Sequence, residues 1–294
     1  MHLKQNSRFN KWYKHQLLLE SKHLKRFLPE THLYTIEKFW EMMDQYNEVI
    51  LKPSVGNGGK GIIKVSKTDG DKVEVNLQKS KKQIMFINDI EQLLGEKLEG
   101  QQYLLQYCIP LAKVNGNVID FRYITQRNKG DTKWDITGKY GKIAKDGYIT
   151  TNILNDGNLV TVEEALSRSN IKNFDLEQTM DALDHLSLAL STCYANSFKN
   201  QNIWGFDLAV DEFGGIWIIE ANATPGFVPF EKPGFSEMGK KINSYLEVGK
   251  QIDLPEIQGL EEDPGKQVPN RNKKRKGILL LKDLFQIFLD KFNK

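Results

Sequence analysis

The 294 residues are enough for one large domain or two modest ones, and the apolar and charged fractions, 39% and 27%, are typical of a globular protein. The net charge of +3 is too small to indicate nucleic-acid binding by itself. The two cysteines, Cys108 and Cys193, lie far apart and lack a CxxC companion, which argues against a zinc site or a disulfide framework and predicts a reducing, cytoplasmic environment.

Hydrophobic periodicity predicts a helix over 11–27 and a second helix over 35–46, after which the period changes to that of strands. Strands are expected in short apolar or alternating runs at 49–53, 62–65, 72–77, 83–87, 103–109, 118–127 and 133–143. Capping boxes that begin at Asn88 and Thr161 each predict a short helix. A long amphipathic helix is expected over 175–196.

The C-terminal part of the chain changes in composition. After a helix near 236–248, prolines and acidic residues predict a linker that ends in a basic run, together covering 253–276. An amphipathic helix is expected over 277–294. The basic and amphipathic stretch 271–294 fits docking on a protein, pairing in a homodimer, or peripheral binding to an anionic membrane, and the sequence leaves these alternatives open. No run approaches the roughly 20 apolar residues of a membrane-spanning helix.

A glycine cluster, Gly56-Asn57-Gly58-Gly59-Lys60-Gly61, matches the pattern G-x-G-x-x-G. A dinucleotide fingerprint needs a helix after the loop, but here a β-branched run follows. A Walker A loop needs Ser or Thr after its lysine, but Gly61 follows Lys60. A protein-kinase loop is a hairpin too, but the H-R-D and D-F-G motifs are missing. A glycine hairpin remains, preceded by Lys52, whose backbone N–H groups can close over phosphate oxygens; the alternative is a plain turn.

Two short strands near residue 210 predict a hairpin that carries three oxygen donors. Glu220 and Asn222 lie two residues apart and therefore share one face of a strand. The turn 211–215 folds the strand of Asp207 back alongside them. No cationic residue is expected between these side chains, so a hard cation is needed to offset their repulsion. Mg²⁺ is the usual occupant when a nucleotide supplies the remaining oxygens.

These motifs occur in an order that resembles the ATP-grasp family, and most closely its YheC/YheD-type branch from endospore-forming bacteria. The resemblance covers roughly residues 8–235. It is carried by Leu51-Lys52-Pro53 with the glycine hairpin, Gln106-Tyr107-Cys108-Ile109, Asp120-Phe121-Arg122, Thr151-Asn152 and the D-x₁₂-E-x-N hairpin. It implies an α+β ATP-grasp fold, in which two α+β subdomains clasp ATP between antiparallel sheets.

The resemblance also implies a division of the chain and a set of ATP contacts. A helical lead-in (1–32) would be followed by a small subdomain with the glycine loop (33–105) and a large subdomain with the metal site (106–252). Lys11 and Lys52 would contact ATP, and the strand from Gln106 to Ile109 would bind adenine through its backbone. The cofactor-binding residues are then Lys11, Lys52, Gly56, Gly58, Gly59, Lys60, Gly61, Gln106, Tyr107, Cys108, Ile109 and Asn152.

Two cations and three metal ligands complete the implied site. Arg122 and Lys142 lie where the family places positive charge over the γ-phosphate and the acyl-phosphate, with Lys139 as an equal alternative to Lys142. Asn152 would lie near the metal and the phosphates. The Mg²⁺ ligands are expected to be Asp207, Glu220 and Asn222, with two ions bridging the phosphates.

The implied reaction is ADP-forming ligation of a carboxylate to an amine through an acyl-phosphate. The substrates would be small molecules or peptides, and nucleic acid is not expected as a partner. Two alternatives remain: a nucleotide-binding, spore-associated structural protein without ligase activity, and an ATP-grasp kinase. The pattern departs from most ATP-grasp enzymes because no complete N-terminal domain precedes Lys11, and this leaves the acceptor pocket undefined.

Overall fold

The computed structural model describes residues 7–56, 58–77, 82–146, 148, 151 and 158–252, with only the backbone in the last five. The predictions for the linker and helix of 253–294, and for Asn152, lie outside these residues. The division of the chain derived from the resemblance stays a prediction. None of the helices in the described part combines the length and the apolar character needed to cross a lipid bilayer.

The first sheet has six strands in the order β1-β6-β2-β3-β4-β5, all antiparallel. Their bounds are β1 Thr31–Leu33, β2 Glu48–Pro53, β3 Ile63–Lys67, β4 Lys72–Asn76, β5 Lys82–Phe86 and β6 Tyr103–Tyr107. Helices α2, Ile36–Tyr46, and α3, Ile87–Leu98, pack on this sheet. Phe39 and Leu94 are fully buried there. The apolar faces of the two helices therefore close the core over one side of the sheet.

The second sheet places β8 at its centre, in the order β10-β9-β8-β11-β12, with the short β7 paired to β8. The bounds are β7 Lys113–Val114, β8 Asn117–Gln126, β9 Asp135–Ile143, β10 Asn158–Val160, β11 Ile203–Val210 and β12 Ile216–Asn222. The flanking helices are α1 Lys11–Leu19, α4 Val162–Ser167, α5 Leu176–Ser197 and α6 Ser236–Ile252. Large side chains such as Tyr123, Tyr194 and Trp204 fill the core between the sheet and α5. The two antiparallel sheets with their helices form the α+β fold that the resemblance implies.

Helix ends show where local chemistry agrees with the sequence pattern and where it does not. Thr161 accepts a hydrogen bond from the backbone N–H of Glu164 at 3.0 Å, so the helix predicted to begin there and its N-cap are confirmed. The helix predicted from Asn88 is present as α3, but its predicted capping box is wrong, because α3 begins directly after β5 and its N-cap, Phe86, has no capping side chain. The helix predicted over 11–27 ends at Leu19, since the hydroxyl of Ser21 accepts from the N–H of Leu24 and draws the chain into a turn.

Candidate functional site

A cleft of about 640 Å³ is lined by residues of both sheets. Within the described residues, six basic side chains and three carboxyl groups line it, and the basic ones are Lys11, Lys52, Lys60, Arg122, Lys142 and Lys232. Of the residues predicted for the site, those that line the cleft are Lys11, Lys52, Gly56, Gly58, Gly59, Lys60, Gln106, Tyr107, Ile109, Arg122, Lys142, Asp207, Glu220 and Asn222. Gly61 and Cys108 are not among the lining residues.

The hairpin of β11 and β12 has the geometry that its sequence predicts. Asp207 lies directly opposite Glu220, and Asn222 lies opposite Gly205. Directly opposite residues of an antiparallel pair point to the same face, so the three donors share one side of the sheet. The turn is fixed by Asp211, whose Oδ1 accepts from the backbone N–H of Gly215 at 2.8 Å. The amide of Asn222 donates to Asp207 Oδ2 at 3.0 Å.

Cationic side chains lie among these donors, and the expectation of a cation-free cluster is wrong. Arg122 donates to Asp207 twice, from Nε to Oδ1 at 2.9 Å and from Nη2 to Oδ2 at 3.0 Å. Lys142 Nζ donates to the same Oδ1 at 2.8 Å. The Nζ of Lys11 lies 3.4 Å from Glu220 Oε1. Among the described residues there is also no group of three or more His, Cys, Asp or Glu side chains placed so that it could hold a metal ion.

The register of β8 explains where this charge comes from. Arg122 is the direct partner of Asp207 in the β8–β11 pair, and the two residues are 85 positions apart in the sequence. Burial raises the pKa of Asp207, but Arg122 and Lys142 outweigh it, so that the pKa lies below its usual value. The carboxylate is therefore held ionised in the cleft by two cations.

Asp120 is a carboxylate that the sequence analysis quoted in a motif without giving it a role. It lies two residues before Arg122 on β8 and therefore on the same face, which is a signal that could have identified it. Its Oδ1 lies 2.8 Å from Lys142 Nζ, and it accepts a hydrogen bond from the hydroxyl of Thr151. Burial is the main cause that raises the pKa of Asp120.

Lys139, the alternative to Lys142, lies outside the cleft and pairs with a carboxylate on α5. Its Nζ is 2.7 Å from both carboxylate oxygens of Asp184 on α5. Successive residues of a strand alternate between faces, so Lys139 and Lys142 point to opposite sides of β9. Lys142 is the one of the two that lines the cleft.

The glycine loop forms the opposite wall of the cleft. Gly58 and Gly59 have φ of +66° and +70°, a conformation that favours glycine. The Nζ of Lys11 donates to the carbonyl of Gly56 at 2.6 Å and thereby links the loop to α1. Gly61, with φ of +76°, has a packing role instead, because a Cβ there would lie 2.9 Å from Pro53 Cγ.

Lys52 projects from β2 toward the same space. Its Nζ donates to Gln106 Oε1 at 2.5 Å, and Gln106 in turn donates to the hydroxyl of Thr31 at 2.8 Å. Burial lowers the pKa of Lys52. Gln106 is neutral, and no carboxylate of the described residues contacts the ammonium group of Lys52, so this group can bind an anionic ligand.

One residue of α1 that contacts the candidate site, Lys14, was not predicted from the sequence. The ammonium group of Lys14 is buried and donates to the carbonyl of Ala221, between Glu220 and Asn222. Burial lowers the pKa of Lys14 to about 8. β12 is an edge strand, so one side of its backbone has no neighbouring strand to pair with. The hydrogen bond from Lys14 satisfies one carbonyl on β12 and holds the backbone that carries the oxygen donors. Lys14 is three residues from Lys11, and this helical spacing could have placed both on one face.

His15 gives the protein a defined dependence on pH. Its ring is buried and stacked on Trp12 at 5.6 Å, and burial lowers its pKa to about 4. Below pH 6.5 the imidazole of His15 binds a proton in the unfolded chain but stays neutral in the folded protein. Burial of the neutral ring therefore contributes its full stability above pH 6.5, and this contribution is lost as the pH falls toward 4. We expect the free energy of unfolding to drop between pH 7 and 5 by about 2 kcal/mol more in the wild type than in His15→Phe. Urea unfolding of both proteins at the two pH values measures this, and equal losses would contradict it.

Comparison with known proteins gives matches along most of the chain. A family model described as YheC/D like ATP-grasp matches residues 1–247. The endospore coat-associated protein YheD of Bacillus subtilis (strain 168) is 30% identical over 237 residues, which are 76% of this chain and 50% of YheD. The endospore coat-associated protein YheC of the same organism is 24% identical over 207 residues, covering 68% of this chain and 55% of YheC. The chain thus spans about half the length of the curated relatives it matches.

Among solved structures, D-alanyl-alanine synthetase A from Vibrio cholerae O1 biovar eltor is similar, with a TM-score of 0.48 and 14% sequence identity. The match covers 81% of this chain and 65% of that chain.

Proposed function

The chain belongs to the YheC/D-like ATP-grasp family, and from that premise we propose that it is an ATP-dependent carboxylate–amine ligase. In this reaction a substrate carboxylate attacks the γ-phosphate of ATP, an acyl-phosphate and ADP form, and an amine then displaces phosphate. The observation that carries the proposal is the convergence of Arg122, Lys142 and three oxygen donors on the wall that faces the glycine loop. Phosphoryl transfer depends mainly on such positioning and charge neutralisation.

The donor set fits Mg²⁺ in its chemistry. Glu220 and Asp207 offer carboxylate oxygens, and Asn222 offers an amide oxygen, all on one face of the hairpin. The amide nitrogen of Asn222 is the atom that contacts Asp207, so its oxygen is available to a cation. We assign these three residues as the magnesium ligands, with ATP oxygens completing the coordination. The metal would neutralise charge on the phosphates and hold them in line for transfer.

The remaining walls suit a nucleotide. Among the described residues that line the cleft, six basic side chains outnumber three carboxyl groups, and this excess of positive charge attracts the triphosphate. Lys52 and Lys11 reach into the phosphate end, and the backbone of the glycine loop closes over it. Apolar side chains in the lining, among them Ile50, Ile62 and Ile109, suit an adenine ring.

Each residue then has a step in the reaction. Arg122, held in place by two hydrogen bonds to Asp207, presents a fixed positive charge to the oxygens of the phosphoryl group. Lys142 supplies a second charge beside it. Gly205 leaves the space above β11 to Arg122, because a Cβ there would lie 3.1 Å from its Nη1 and 2.6 Å from Pro225 Cβ. The loop that starts at Pro225 would border the acceptor substrate.

The names of YheD and YheC describe an association with the endospore coat. As part of the proposal, the ligase acts on a carboxylate, either of a small molecule or of a peptide, in a spore-forming cell. A kinase with the same nucleotide site would instead phosphorylate an alcohol, and a structural protein would not turn ATP over.

Trapping with hydroxylamine distinguishes a ligase from a kinase and from a protein that does not turn ATP over. Hydroxylamine attacks the carbonyl of an acyl-phosphate, the C–N bond forms and phosphate leaves. The colourless hydroxamate that accumulates is then detected as its coloured complex with Fe³⁺. We expect hydroxamate and ADP in equal amounts when the full chain is incubated with Mg²⁺, ATP and a panel of carboxylic acids and peptides. A phosphorylated alcohol, ADP without hydroxamate on any substrate, or no ATP turnover would each overturn the ligase.

A further inference from the structure

Two carboxylates share one ammonium group in the cleft. Lys142 Nζ lies 2.8 Å from Asp207 Oδ1 and also 2.8 Å from Asp120 Oδ1. Asp120 and Lys142 are direct partners in the β8–β9 pair, so the register of the sheet imposes the contact. All three residues are buried, with 6–8% of their surface exposed. Asp120 is not among the oxygen donors of the hairpin, and the reaction described above leaves it without a role.

Asp207 has no oxygen left over for a metal in the present arrangement. Its Oδ1 accepts from Arg122 and Lys142, and its Oδ2 accepts from Arg122 and Asn222. A divalent cation on this carboxylate repels both basic groups at short range. Arg122 is held by two bonds to Asp207, whereas Lys142 has a second carboxylate to hold it. Lys142 is therefore the group that can give way without leaving the cleft.

We propose that Asp120 is a positioning residue, which takes over Lys142 when a magnesium ion occupies Asp207 and so keeps the ammonium group directed at the phosphoryl group. The inference rests on the proposed function, because it presumes that Asp207 is a metal ligand. The hydroxyl of Thr151 donates to Asp120 and orients its carboxylate for this contact. Asp120 thus lowers the cost of metal binding and prevents the loss of a catalytic charge.

The test measures how much magnesium the full chain needs to bind ADP. In Asp120→Asn, Lys142 keeps only Asp207, and it competes there with the metal. We expect the magnesium concentration for half-maximal ADP binding to rise at least about tenfold. The affinity for ADP in EDTA is expected to stay within about twofold, since Lys142 remains in place without metal. A merely structural role would weaken ADP binding equally with and without magnesium.

Two further variants make the result decisive. Asp184→Asn removes a carboxylate from the other lysine of β9, Lys139, and should leave the magnesium requirement unchanged. Asp120→Asn combined with Lys142→Met removes both charges, and a neutral pair of this kind commonly folds even where the single change does not. In the double variant the magnesium requirement should fall to that of the wild type or below it, because no ammonium group competes at Asp207.

The outcomes distinguish this inference from the proposed function. An unchanged magnesium requirement in Asp120→Asn, or a raised one in the double variant, overturns the role of Asp120 while the ligase stands. A wild-type chain that binds ADP without any influence of magnesium overturns the proposed metal site and with it the inference.

Discussion

Replacing Asp207 by alanine is expected to lower the free energy of unfolding by about 3–5 kcal/mol, apart from its effect on any reaction. The reason is that Asp207 neutralises two cations with little access to water. The side chains of Arg122 and Lys142 are 17% and 7% exposed. Without the carboxylate, Arg122 is left without its bidentate partner, and Lys142 loses one of the two carboxylates it contacts and retains Asp120. A buried charge without its partner is among the most destabilising consequences of a single substitution.

Chemical denaturation of the wild type and of Asp207→Ala at neutral pH measures this loss. Asp184→Ala is the matched control, because it removes the carboxylate of an ion pair whose side chains are 30% and 31% exposed. The expected cost of that change is about 1 kcal/mol or less. If Asp207→Ala were as stable as this control, the buried charge network would not stabilise the fold as described.

The second large effect is expected from a substitution of Glu220, and it concerns the turnover of ATP. Glu220→Gln is expected to reduce ADP production from ATP by at least about 100-fold. Glu220 is more exposed than Asp207, at 26% of its side chain, and its contact is a 3.4 Å approach by Lys11. The substitution should therefore change the free energy of unfolding by less than about 1 kcal/mol. Asp207 and Glu220 are opposite each other in the hairpin, yet only one of them is expected to affect stability strongly.

Steady-state ADP release, in a preparation free of contaminating ATPase, is the measurement for Glu220. The control is Glu212→Gln, a carboxylate in the turn of the same hairpin that does not line the cleft. It should retain wild-type turnover. Unchanged ADP release by Glu220→Gln would remove this residue from the metal site.

The parts of the site that the sequence predicts are those built within one local element. Glu220 and Asn222 share a face because side chains alternate along a strand, and a short turn returns Asp207 to the same place. The glycine hairpin was distinguished from a dinucleotide loop because a β-branched run follows Gly61. Each of these inferences needs no more than about 20 residues of chain, and local pattern is sufficient at that range.

The parts that the sequence does not predict depend on pairing between distant strands. Arg122 reaches Asp207 only because β8 pairs with β11, with a separation of 85 residues between the two side chains. Nothing in either segment specifies that partner. The expectation of a cluster without cations failed for this reason. That expectation considered the β11–β12 hairpin alone, although β8 and β9 contribute Arg122 and Lys142 beside it.

Helix α1 shows a different limit. The periodicity from 11 to 27 continues past Leu19, but the hydroxyl of Ser21 bonds to the backbone and ends the helix. From the first turn of this helix, Lys11 donates to the carbonyl of Gly56 and Lys14 donates to the carbonyl of Ala221. The lysines of a lysine-rich segment are usually exposed to solvent. Here tertiary packing directs Lys11 and Lys14 toward the candidate site instead.

The most direct test of the account is the effect of magnesium on the affinity for ADP. If Asp207, Glu220 and Asn222 hold a metal beneath the nucleotide, ADP should bind the wild type at least about tenfold more tightly with Mg²⁺ than in EDTA. Glu220→Gln should lose that gain while it still binds ADP in EDTA. Equal affinity with and without magnesium in the wild type, or an undiminished gain in Glu220→Gln, would contradict the central claim.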